Sequence, residues 1–80
     1  MMKLLQRWRN KMDELNNTKI DNLVDYIKEC KGIIDIPTKR LLINELAGIL
    51  LSTGEVESKD VATNMAHLAI TTCIQECLAK

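Results

Sequence analysis

The stretch VATNMAHLAITTCIQ, residues 61–75, carries no formal charge over fifteen positions, in a chain of which 28% is charged. It also holds the only histidine and one of three cysteines. At 100° per residue, Ala62, Ala66, Ala69, Cys73 and Cys77 fall in one sector. Val61, Met65 and Leu68 flank that sector on one side and Ile70 on the other. Small side chains let a neighbouring helix backbone approach closely, and large flanking ones lock the contact by ridge-and-groove packing. The spacing therefore predicts a central helix, contacted on more than one side, with Cys73 and Cys77 acting as small buried hydrophobes. A membrane span is not expected, because Thr63, Asn64, His67, Thr71, Thr72 and Gln75 interrupt the run and Asp60 and Glu76 bound it closely.

Working outward, three further helices are expected. In KLLQRWRNKMDELNN, residues 3–17, Leu4, Leu5, Trp8, Met12 and Leu15 share a narrow sector, with Arg7, Arg9, Asp13 and Glu14 outside it. This predicts a helix near 3–16 that ends at the asparagines. Thr18 opens TKID, a capping-box-like start, and Ile20, Leu23, Val24, Ile27 and Cys30 form the next stripe, over 18–31, until Gly32 closes it. A third helix near 37–52 has Pro37 in its first turn, Leu42, Leu46, Ile49 and Leu50 on its inner face, and Gly54 beyond its end. Ser58 is a good N-cap residue for the fourth, over 58–78. The segments GIIDI and GEVES, ahead of the third and fourth helices, read as loops, with a minor two-stranded bridge between them as the alternative. The expectation is one all-α domain over residues 1–80, a small four-helix bundle with short connections.

Eighty residues can bury only about 60% of the surface their unfolded chain exposes, so self-association or a partner is expected. Eleven basic residues balance eleven acidic ones, so no global field draws the chain to nucleic acid or anionic lipid. The first segment is charged throughout and lacks the apolar run of a secretory signal, so three free thiols and a cytoplasmic setting are expected.

Chemistry is sparse. Zinc needs four ligands, and Cys30, Cys73, Cys77 and His67 are the only soft candidates, without C-x-x-C or H-x-x-x-H spacing. His67 lies more than a quarter-turn from Cys73 on the same helix, so the two do not chelate one ion, and no metal or cofactor is expected. A nucleophilic cysteine needs a base and an electropositive setting, which the apolar sector of Cys73 and Cys77 lacks. With no phosphate loop, carboxylate pair or G-x-S-x-G elbow either, the chain is not read as an enzyme.

What remains is surface. Leu41 and Leu51 fall outside the inner stripe of the third helix, and with Ile70 and Ile74 on the fourth they form the expected partner interface. The primary expectation is a small regulator, adaptor or inhibitor that binds another protein or itself as a homodimer through helices. One alternative is a DNA- or RNA-binding regulator that uses the basic surface Lys3, Arg7, Arg9 and Lys11 around Trp8. Another is a helical immunity-type protein at a membrane surface, with Trp8, Leu4, Leu5 and Met12 dipping in. The third and fourth helices also have the cadence of a helix-turn-helix, but the turn is long and acidic. The fourth helix has no lysine or arginine between Lys59 and Lys80, whereas groove readers bring cations for phosphates.

Overall fold

The structure, a computed structural model, describes residues 13–79. Three helices account for most of them: α1 over Glu14–Glu29, α2 over Ile36–Ser52 and α3 over Lys59–Leu78. The all-helical class agrees with the sequence pattern. Of the expected helix over 3–16, only the last residues are described, and these already belong to α1.

The break expected at Asn16 and Asn17 does not occur. Asp13 has extended backbone and its carboxylate accepts from the Asn16 N–H at 2.9 Å, so this residue caps the helix. Thr18, expected to start a helix, sits inside α1 and donates its hydroxyl to the Glu14 carbonyl. An aspartate at the N-cap also brings negative charge to the positive end of the helix dipole, which threonine does not.

At the other end of α1 the chain closes in a Schellman arrangement, in which the Lys31 N–H donates to the Lys28 carbonyl and the Gly32 N–H to the Ile27 carbonyl. The left-handed residue after the cap is Lys31, at φ 56. Gly32, expected to stop the helix, has a different task. It is buried, and a Cβ there would lie 2.9 Å from the Ile74 carbonyl oxygen and 3.1 Å from Cys77 Cβ. The glycine seats the α1–α2 connection directly on the backbone of α3.

The start of α2 follows its sequence. Asp35 caps it through the Thr38 N–H, with Pro37 in the first turn, where a missing N–H costs no helical bond. Gly54 ends it in the left-handed conformation. Ser58 occupies the N-cap of α3, but its side chain makes no capping hydrogen bond. No strand occurs among the described residues. The two-stranded bridge between GIIDI and GEVES is therefore absent: the first segment becomes connection and α2 entry, the second a turn after Gly54.

The core draws Ile20, Leu23 and Ile27 from α1. From α2 it takes Leu42, Ile43, Leu46, Ala47, Ile49 and Leu50, and from α3 Ala62, Ala66, Ala69, Ile70 and Cys73. Ala62 and Ala66 have no exposed surface and Ala69 has 1%. The small-residue stripe is thus the buried face of α3, and α2 packs against it most extensively, with α1 as the lesser neighbour. Burial is one-sided, however. Val61 and Leu68, expected to lock the contact, are exposed, so the uncharged character of residues 61–75 does not reflect burial all round.

Candidate functional site: a groove between the first two helices

The six-residue connection from Cys30 to Asp35 turns the chain so that the end of α1 lies near the start of α2. The two helices run beside each other without closing. Between them lies an open groove of about 780 Å³, lined along α1 from Asn16 to Tyr26 and along α2 from Thr38 to Ser52. The floor is apolar: Leu23, Leu42 and Ile49 show their edges there while belonging to the core. Tyr26 and Leu41 stand exposed on the two walls, and Lys19, Asn22 and Glu45 supply polar rims.

Helical spacing explains the walls. On α2, Leu41 is half a turn round from Leu50, which is fully buried at the centre of the core face. Leu41 therefore points away from α3 and keeps 65% of its surface exposed. Glu45, Gly48 and Ser52 follow at intervals of four, three and four residues on the same flank. Gly48 is exposed, and nothing lies within 4 Å of the position its Cβ would take. A glycine inside a helix costs about 1 kcal/mol relative to alanine. No contact among the described residues uses the space it leaves.

Of the four expected interface residues, only Leu41 lies at the groove. Leu51 and Ile74 are half-buried and pack against the core, and Ile70 is a core residue with 3% exposure. Ile70 sits beside Ala66 and Cys73 on the inward face of α3, so it is not available to a partner. Sequence reasoning missed Tyr26 and Gly48. The first was legible as sharing a helical face with Lys19 and Asn22, the second as a mid-helix glycine without a turn to explain it. Lys3, Arg7, Trp8, Arg9 and Lys11, the basic surface of the nucleic-acid and membrane-surface readings, lie outside the described residues.

The three cysteines are free thiols. Burial pushes the Cys73 thiol up from its ordinary value, with the neighbouring Cys77 and Glu76 adding to the shift. Such a thiol is held in its less nucleophilic form. The Tyr26 phenol is raised from its ordinary value, mainly by charge on the neighbouring Cys30 and then by hydrogen bonding to it. No three histidine, cysteine or acidic side chains converge on a metal position among the described residues. His67 is exposed on α3. No helix of the described residues is long and apolar enough to cross a membrane.

Compared with protein-family models, curated proteins and solved structures, the chain matches none.

Proposed function

We propose that this chain is a small non-enzymatic regulator, adaptor or inhibitor that works by helix-mediated protein association, with the groove between α1 and α2 as its docking surface. The observation that carries the reading is the exposure of Leu41 and the open space at Gly48 above an apolar floor. An amphipathic helix reads such a groove through anchors on one face, and apolar surface on both walls supplies the driving force. The polar rim of Lys19, Asn22, Glu45 and Ser52 would set its direction and register rather than its affinity.

The test is Leu41→Glu in the full chain. Light scattering over a wide concentration range follows self-association, and affinity capture from the native host follows a foreign partner. Helicity should be unchanged and at least one association seen with the parent protein should be lost. Unfolding of the variant would put Leu41 in the core, and association indifferent to the substitution would remove the groove from the function.

The nucleic-acid and membrane-surface readings are second to this one. The start of α3, which would be the reading helix of a helix-turn-helix, has Lys59 next to Asp60 in sequence, which leaves little net charge for phosphate. The liposome arm is flotation with and without Arg7 and Arg9.

A further inference from the structure

The two walls of the groove carry opposite charges. Lys19 lines it from α1 and Glu45 from α2. Both are exposed, and neither makes an ion pair among the described residues. Leu41 stands four residues before Glu45 and is the large apolar side chain that the α2 wall leaves exposed. At 100° per residue, Leu41, Glu45, Gly48 and Ser52 fall within a sector of about 60°, so they form one crest along α2. That crest rises about 16 Å from Leu41 to Ser52, and the α1 wall rises about 15 Å from Asn16 to Tyr26. The crest is therefore as long as the groove it borders.

A helix that fills this groove needs three things. It needs an apolar anchor for the floor of Leu23, Leu42 and Ile49, a charge that answers one of the two rims, and a slender point where its backbone can come near a wall. The crest of α2 has all three. Leu41 is the anchor, Glu45 is the acid that answers Lys19, and Gly48 is the slender point, with nothing within 4 Å of the place its Cβ would take. One chain thus carries both the groove and a helix flank made to fit it.

We infer that the groove binds a second copy of this chain, with α2 of each protomer laying its crest in the groove of the other across a twofold axis. In such a contact the same patch serves both sides, so every interaction is made twice. Leu41 of each protomer reaches the other's floor, and Lys19 meets the partner's Glu45. Gly48 lets the two α2 backbones approach, since helix separation follows the size of the side chains at the contact. The glycine is then explained, because its cost within a single helix is offset by a closer fit between two. This rests on the reading of the groove as a helix-binding surface and names its partner.

Charge reversal tests the pairing in the full chain, at low ionic strength where rim charges are least screened. Sedimentation over a wide concentration range should give a monomer–dimer equilibrium for the parent protein. Lys19→Glu and Glu45→Lys should each raise the dimer Kd about tenfold, because one reversal sets two like-charge pairs against each other. The double variant should return to the parent Kd. An equimolar mixture of the two single variants should form the heterodimer in preference to either homodimer, read by native mass spectrometry, since only the heterodimer restores both pairs. Circular dichroism should stay helical throughout, as both residues are exposed. A protein that is monomeric at millimolar concentration overturns the inference. So does a dimer whose Kd neither reversal changes, or one that the double variant fails to recover, because the contact then lies on another face or pairs other groups. The two proposals fail separately: a monomer that still captures a foreign protein through Leu41 leaves the groove reading standing, whereas a dimer indifferent to Leu41→Glu and to both reversals removes the groove as well.

Discussion

The two flanks of α2 end up in opposite states, one packed with apolar residues and the other carrying Leu41 as its one large exposed apolar side chain. Toward α3 the contact is closed, because Ala62, Ala66 and Ala69 bring almost no side chain between the two backbones and Leu46 and Leu50 can settle fully among them. Toward α1 the contact stays open. The inward residues of α1 are Ile20, Leu23 and Ile27, all large and all directed to the shared core, and the flank beside α2 carries Lys19 and Asn22, whose heads stay in water. Helix separation follows the size of the side chains at the contact. A small-residue face on one helix therefore seals an interface, and a polar flank leaves a groove even where the floor below it is apolar.

The closed side is most sharply tested at Gly32. Alanine there must adopt a left-handed backbone, which costs about 1–2 kcal/mol for an L-residue. Its methyl also meets the Ile74 carbonyl at 2.9 Å, an overpacking that adds about 1–3 kcal/mol. Gly54 shares the backbone conformation, at φ 75, but has nothing within 4 Å. Gly54→Ala should therefore show the backbone cost alone. Chemical denaturation of both variants separates the two contributions, and equal losses would mean that Gly32 does not seat the connection on α3.

Ala69→Leu probes the same seal from within α3. Ala69 is 1% exposed and its neighbour Leu68 is 62% exposed. Ala69→Leu should lower stability by about 1–3 kcal/mol through overpacking, while Leu68→Ala should stay within about 0.5 kcal/mol, as surface substitutions do. A fully stable Ala69→Leu protein would show that the α2–α3 contact has slack, and the contrast between the flanks of α2 would lose its physical basis.

The closed side was also the legible one. The stripe of Ala62, Ala66, Ala69 and Cys73 stands out in sequence because helical periodicity sorts residues by size as well as by polarity. Pro37 and Gly54 bracket α2, whose observed start is one residue earlier than expected. The entry to α1 was obscured because Asn16, Asn17 and Thr18 look like the end of one helix and the cap of the next. The aspartate upstream wins that competition, and periodicity carries no measure of relative cap strength. The groove was half legible. Leu41 is visibly off the inner stripe, but Leu51 and Ile74 need only a modest helix rotation to pack on the core, and Ile70 borders the small-residue stripe closely enough to be drawn inside. Whether a flank stays open depends on how far a third helix stands away, which no single helix encodes.

The smallest effect is expected at the start of α2, where Asp35 caps the helix through Thr38, a residue of the groove lining. The Asp35 carboxyl is held below its ordinary value by its side-chain and backbone hydrogen bonds with Thr38, against a small opposing contribution from desolvation. A carboxylate whose folded value is depressed contributes stability that is present above the unfolded value, about 3.9 for aspartate, and that is lost as pH falls through the folded one. Asp35→Asn keeps an oxygen able to accept from the Thr38 N–H, so stability near neutrality should change little. It removes the titration, so the midpoint of denaturation should fall less steeply with acid than in the parent protein once the pH drops below about 4. Parallel acid profiles for the two proteins would show that solvent screens the cap interaction at this exposed site. In that case the fixed start of α2, and with it the position of Leu41 on the groove wall, would depend on Pro37 and on burial of Leu42 and Ile43 rather than on the aspartate.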